Sequence, residues 1–245
     1  MTFPFRAGIT LAALVSSTAV MAAPSVGDLA FTAVNADEDG FALTSFVDLA
    51  AGEQLYFTDR EWNGALPGAG GAFLTGEGVL SWTLDANVAA GEVIRFASVN
   101  SATSLWSSVG DLGRSGSFSL AALTDSVTLY LDQAGVITPL AAIGWGGFVP
   151  SPGAGLDGAV VNLDGRVDFA EYVGPRSGET TLEAYRTSLL DTSQWIVRKE
   201  TIETNTAPYL GGFTVTAPVP EPETYAMMLA GLGMIGTMVK RRRKC

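Results

Sequence analysis

The only cysteine in this chain is its last residue, Cys245, and there is no histidine. No disulfide framework can staple the fold, and no Cys-built or His-built zinc site can nucleate it. The chain must be held together by burying a core, which a body of about 200 residues can supply. The same absences exclude a Ser-His-Asp triad and any histidine general base. The formal net charge of −11 argues against nucleic acid, since phosphate contacts need clustered Lys and Arg.

Two apolar segments lie at the ends. Arg6 precedes an apolar or small-residue run from Ala7 to Val20, and Val20-Met21-Ala22 sets small side chains before Ala23. This pattern predicts a secretory signal peptide over 1–22, cut before Ala23. At the other end, Val219-Pro220-Glu221-Pro222-Glu223 leads into the apolar run Tyr225 to Val239. Lys240, Arg241, Arg242, Arg243 and Lys244 follow as a membrane stop on the cytoplasmic side. The run predicts a C-terminal membrane helix over 225–239. As a helix it would span about 22 Å at 1.5 Å per residue, against a hydrocarbon core of about 30 Å. Gly231, Gly233 and Gly236 weaken it further. Such an anchor suits a temporary stop better than a permanent span.

The order of Pro220-Glu221-Pro222, a short apolar run and a basic end closely resembles the PEP-CTERM sorting signal of Gram-negative bacteria. The resemblance covers about the last 27 residues and implies an exosortase-type processing enzyme as partner. It implies a brief stay in the inner membrane, then transfer to the cell surface or the exopolysaccharide matrix. Pro220, Glu221 and Pro222 are the positions that match the recognition motif. Cys245 lies beyond the usual pattern and reads as an inert terminal residue. An uncut chain would instead remain a single-pass membrane protein.

Between the ends the chain is strongly acidic. The two ends carry six of the 14 basic residues, so the body alone has a net charge of about −16. Short runs of β-branched and aromatic residues recur roughly every ten positions, at 28–34, 42–49, 54–58, 78–84, 93–98, 126–131, 136–145 and 212–216. Asp132-Gln133-Ala134-Gly135 predicts a hairpin turn, and the glycine-rich stretch 64–78 a surface loop. Thr180-x-x-Glu183 has the form of a capping box, followed by an apolar stripe at Leu182, Tyr185 and Leu189. The predicted fold is mainly β, an antiparallel β-sandwich with one short covering helix, plus the N-terminal signal peptide and the C-terminal membrane helix. The predicted organisation is signal peptide 1–22, body 23–216, Pro-rich spacer with the sorting motif 217–224, membrane segment 225–239 and basic tail 240–245.

The body also resembles a β-sandwich domain of exported bacterial surface proteins. The matching stretches are Gly27 to Phe41, Phe57-Thr58-Asp59-Arg60-Glu61-Trp62-Asn63-Gly64, Val167 to Gly174 and Ser193-Gln194-Trp195. Some members of that group look lamin-tail-like, with an immunoglobulin-type sandwich. The resemblance implies a module and transfers no catalytic residue.

Three kinds of chemistry merit weighing. Asp37 and Asp39 crowd one loop. Asn162, Asp164, Gly165, Asp168 and Glu171 match later positions of a calcium loop, but Val160 stands where the first carboxylate belongs. Calcium through Asp37, Asp39, Asp164, Asp168 and Glu171 is therefore a candidate beside ordinary turn chemistry, and no other cofactor is implied. Asp59 and Glu61 beside Trp62 form a carboxylate pair of the kind glycan hydrolysis uses; solvated turn charges are the plainer reading. Serines are plentiful, but no motif supplies a base. The sequence thus predicts an exported, non-enzymatic structural or adhesive protein of an exopolysaccharide-associated envelope. The alternative is a carbohydrate- or calcium-binding module, or more weakly a glycan-active enzyme.

Overall fold

The computed structural model describes residues 22–147, 151–199 and 206–216. Residues 1–21 of the predicted signal peptide 1–22, the sorting motif Pro220, Glu221 and Pro222, the apolar run 225–239 and the basic residues 240–244 lie outside the described residues.

Among the described residues, twelve strands form two six-stranded sheets. The first sheet holds β1 (Leu29–Asn35), β2 (Gly40–Ser45), β5 (Val93–Ala97), β6 (Trp106–Ser107), β11 (Phe169–Tyr172) and β12 (Trp195–Arg198), in the order β12-β11-β1-β2-β5-β6. The second holds β3 (Gln54–Thr58), β4 (Val79–Thr83), β7 (Asp111–Ser115), β8 (Asp125–Gln133), β9 (Val136–Trp145) and β10 (Val160–Leu163), in the order β10-β9-β8-β3-β4-β7. All pairs are antiparallel except β9 with β10, which run parallel and are joined by the glycine-rich segment between them.

Alternation explains the stacking of the sheets. Leu55 and Phe57 of β3 and Leu80 and Trp82 of β4 point to one side, and all four are fully buried. They meet Phe41 and Phe96, cross-strand partners on β2 and β5. Phe57 lies 4.9 Å from both Phe41 and Phe96 between ring centroids, and Trp82 lies 5.1 Å from Phe96. These ring pairs join the two sheets into one core. A smaller cluster covers the outer face of the second sheet, where Trp62 packs with Ala142, Ala154, Leu156 and Ala159.

The predicted hairpin between β8 and β9 forms. Ala134 and Gly135 both take positive φ, and the Gly135 amide donates to Asp132 Oδ1 at 2.8 Å. The helix differs from its prediction. α1 runs Ala184–Leu190, with Glu183 as its N-cap and no side-chain cap bond, so the capping box at Thr180 is not made. The Tyr185 hydroxyl serves the approach instead: it accepts from the Glu179 amide at 3.0 Å and donates to the Thr214 carbonyl at 2.8 Å. Tyr185 and Leu189 are buried, as the stripe implies.

No strand is present at 212–216. That stretch belongs to a strap, residues 206–216, tied down by bonds to scattered loops. The Phe213 amide donates to the Gly91 carbonyl at 2.7 Å, Thr214 to Arg176 at 2.8 Å and Thr216 to Glu179 at 2.7 Å. Phe213 enters the core against Tyr185 at 5.1 Å and Tyr172 at 6.0 Å. Gly91 is required here: its φ is +90°, and a Cβ would stand 2.2 Å from the Phe213 carbonyl oxygen.

The expected C-terminal membrane helix is corrected. Among the described residues no helix is long and apolar enough to cross a membrane, and α1, the one α-helix among them, has seven residues. The run 225–239, on which that helix was expected, lies outside the described residues. A transient inner-membrane stage held by such a helix likewise has no helix among the described residues to support it. The mainly β body, its antiparallel sheets and its one short helix stand.

Candidate functional site

The carboxylates picked out in the sequence are used mostly to hold loops. Asp39 sits at the β1–β2 turn with φ of 51°. It accepts from the Leu120 amide at 2.6 Å and from Asn100 Nδ2 at 2.6 Å. Asp59 follows β3 and is buried. It accepts from the Gly78 amide at 2.8 Å and the Ser119 amide at 3.0 Å. Asp125, which sequence reasoning passed over, accepts from the Ala121 amide at 2.7 Å and the Ser126 amide at 2.8 Å. Three successive amides of the β7–β8 loop (Ser119, Leu120, Ala121) are thus each held by a carboxylate from a different part of the fold. Phe118 and Leu120 of that loop are buried in the core.

Burial raises all three carboxyls above the usual carboxylate range, and the amide bonds only partly offset it. Asp125 reaches about 6, pushed by burial and then by the neighbouring Asp59 and Asp39. Glu77 is raised too, by burial and by Asp59, Asp125 and Glu61. Asp59 and Glu61 part company because β3 ends at Thr58; Glu61 is exposed. Trp62 packs, with its indole N–H on the Ala65 carbonyl at 2.7 Å.

The calcium residues do not form a loop of that kind. Asn162 lies in β10, Asp164 is exposed in the turn after it, and Asp168 precedes β11 fully buried, paired with Arg166 at 2.6 Å. Asp37 lies close enough to Arg166 to help raise the pKa of that guanidinium, although Asp168 does most of this. Glu171 turns away, accepting from the Tyr209 amide. Among the described residues no group of three or more His, Cys, Asp or Glu side chains is placed to hold a metal ion.

Apart from Glu171, the residues that gather around open space at the end of β11 are different ones. A cavity of about 420 Å³ is lined by Glu171, Tyr172, Val173, Gly174, Arg176 and Tyr209, where β11 ends and the strap crosses it. Arg176 lies 4.9 Å from the Tyr209 ring centroid, 5.0 Å from Phe213 and 5.8 Å from Tyr172. Its Nη1 donates to the Gly211 carbonyl at 2.7 Å, and its Nη2 to the Tyr172 carbonyl at 3.3 Å. Burial lowers its pKa, with Glu171 the leading offset. The sequence signal for this pocket was slight: Tyr209 stands two residues before a glycine pair, just ahead of the run 212–216 that reads as a strand.

Comparison with known families adds one finding. A family model described as the PEP-CTERM protein-sorting motif matches residues 218–244. No curated protein and no solved structure matches the chain. The chain therefore carries the sorting motif at its C-terminus beyond a mainly β body, which supports an exported, sorted surface protein. A motif of this kind implies processing by an exosortase-type enzyme.

Proposed function

We propose that the chain is a cell-surface or extracellular-matrix protein whose β body serves a structural or adhesive, non-enzymatic role in an exopolysaccharide-associated envelope. The observation that carries this reading is the sorting motif matched at 218–244. On this reading 1–22 is a signal peptide, 23–216 the exported body, and 217–224 a spacer that holds the motif Pro220-Glu221-Pro222 for processing. The two stacked sheets support reading the body as a lamin-tail-like or immunoglobulin-type β-sandwich. A non-enzymatic role is supported by the employment of Asp39, Asp59 and Asp168 in holding backbone amides and an arginine.

Mass spectrometry of surface and secreted fractions tests the reading. Mature chains beginning near Ala23 and ending at or near Pro222 are expected. Recovery of only chains that end at Cys245 would refute it.

A further inference from the structure

The strap pocket is built more carefully than loop anchoring needs. Tyr209 is 63% exposed, yet it is fixed at both backbone polar atoms: its amide donates to Glu171, and its carbonyl accepts from Arg176 at 3.4 Å. One side of its environment is closed by Arg176, which rests in turn on Phe213 and Tyr172. Gly211 carries no side chain where a Cβ would come within 2.3 Å of the Tyr209 ring, and a Cβ on Gly174 would come within 2.4 Å of the Tyr172 hydroxyl. Val173 on the rim is apolar and 52% exposed, and Ile196, the cross-strand partner of Glu171, is 45% exposed.

We propose that this pocket binds a neutral saccharide, one pyranose ring lying on the open part of Tyr209 and its hydroxyls shared between Glu171 and Arg176. The chemistry fits on three counts. A pyranose has an apolar C–H face that an aromatic ring accepts, because the ring face carries negative quadrupole density. The hydroxyls both give and take hydrogen bonds. Glu171 has a second carboxylate oxygen with no bond among the described residues, and Arg176 has five donors with three bonds to carbonyls. A rigid ring loses little freedom on contact, as a shallow site requires. The whole chain, at −11, disfavours a polyanion, which selects a neutral sugar over an acidic one. This inference gives the adhesive role a ligand class and rests on that role only for its setting; the pocket is argued from its own atoms.

The test is titration of the purified chain with neutral hexose hexamers (α-glucan, β-glucan and β-mannan) and with an oligogalacturonate, read by amide chemical shifts. We expect saturable shifts for one neutral oligomer at Val173, Gly174, Tyr209 and Leu210. Tyr209→Ala should weaken binding about tenfold or more, and Tyr209→Phe should keep it. Val173→Arg blocks the rim without touching the strap. It should also abolish binding, which covers the case in which Tyr209→Ala disturbs the strap itself. Absence of shifts with all neutral oligomers, a preference for the oligogalacturonate, or binding unchanged by both Tyr209→Ala and Val173→Arg would overturn the proposal. The fractions found by mass spectrometry do not depend on any of these results, so either idea can fail alone.

Discussion

Lowering the pH from 8 to 5 should make the body more stable. The cause is the set of carboxylates that hold the β7–β8 loop. Asp125 titrates near 6 in the folded chain against 3.8 as an ordinary aspartate. A folded pKa above the unfolded one means that the folded state binds more protons between these values. Stability from this group is fully present below about pH 4 and is lost as pH rises through about 6. Between pH 8 and pH 5 the linkage gives about 1.4 kcal/mol. Residual solvent access around Asp125 reduces this to about 1 kcal/mol. Asp39, Asp59 and Glu77 are raised by burial as well, so their contributions have the same sign. The carboxylates interact, so one broad transition is expected and not separate steps. Urea unfolding followed by tryptophan fluorescence reads the effect. With a slope of about 2 kcal/mol per molar, the midpoint should rise by about 0.5 M at pH 5. Asp125→Asn should flatten that rise, whatever it does to absolute stability, while the exposed Asp111→Asn should leave it unchanged. A midpoint equal or lower at pH 5 would refute the assignment of these carboxyls as buried and raised.

Three further outcomes concern the strap and the loop. Phe213→Ala should destabilise the body by about 3 to 4 kcal/mol, as an aromatic removed from a packed core does. A chain ending at 216 should instead melt with the full-length protein in differential scanning calorimetry. Gly78→Ala places a Cβ 2.2 Å from the Phe118 amide nitrogen, against backbone that cannot swing away. A loss of about 2 to 3 kcal/mol is expected, measured by the same urea titration; a loss under about 0.5 kcal/mol would show that the loop sits elsewhere.

Strands with clean alternation were legible in the sequence. β3 and β9 match the predicted 54–58 and 136–145 at both ends, because Leu55 and Phe57 face one way and the β8–β9 turn carries its own chemistry in Ala134 and Gly135. β7, with Leu112-Gly113-Arg114, has no alternating signal and exists only because β4 offers it an edge. The strap misled the alternation rule: Gly-Phe-Thr-Val-Thr reads as a strand, but its neighbours are turns and loops with no free edge to pair. The site fared differently. Asp39, Asp59 and Asp168 stood out as acids, yet their partners are amides and an arginine brought together by the fold. Tyr209 and Arg176 lie 33 positions apart with no motif between them, and only the folding back of the chain makes them neighbours.

The strap's last tie is the Thr216 amide on Glu179, and the sorting motif begins two residues later, at 218. Every described bond that secures the C-terminal side of the body lies before that point. A cut at the motif therefore removes nothing that the described fold stands on. On the proposed reading, the bonds that hold the described body neither await nor lose anything to that cut, whichever of folding and processing happens first. An enzyme reading the motif would then need no signal from this part of the fold.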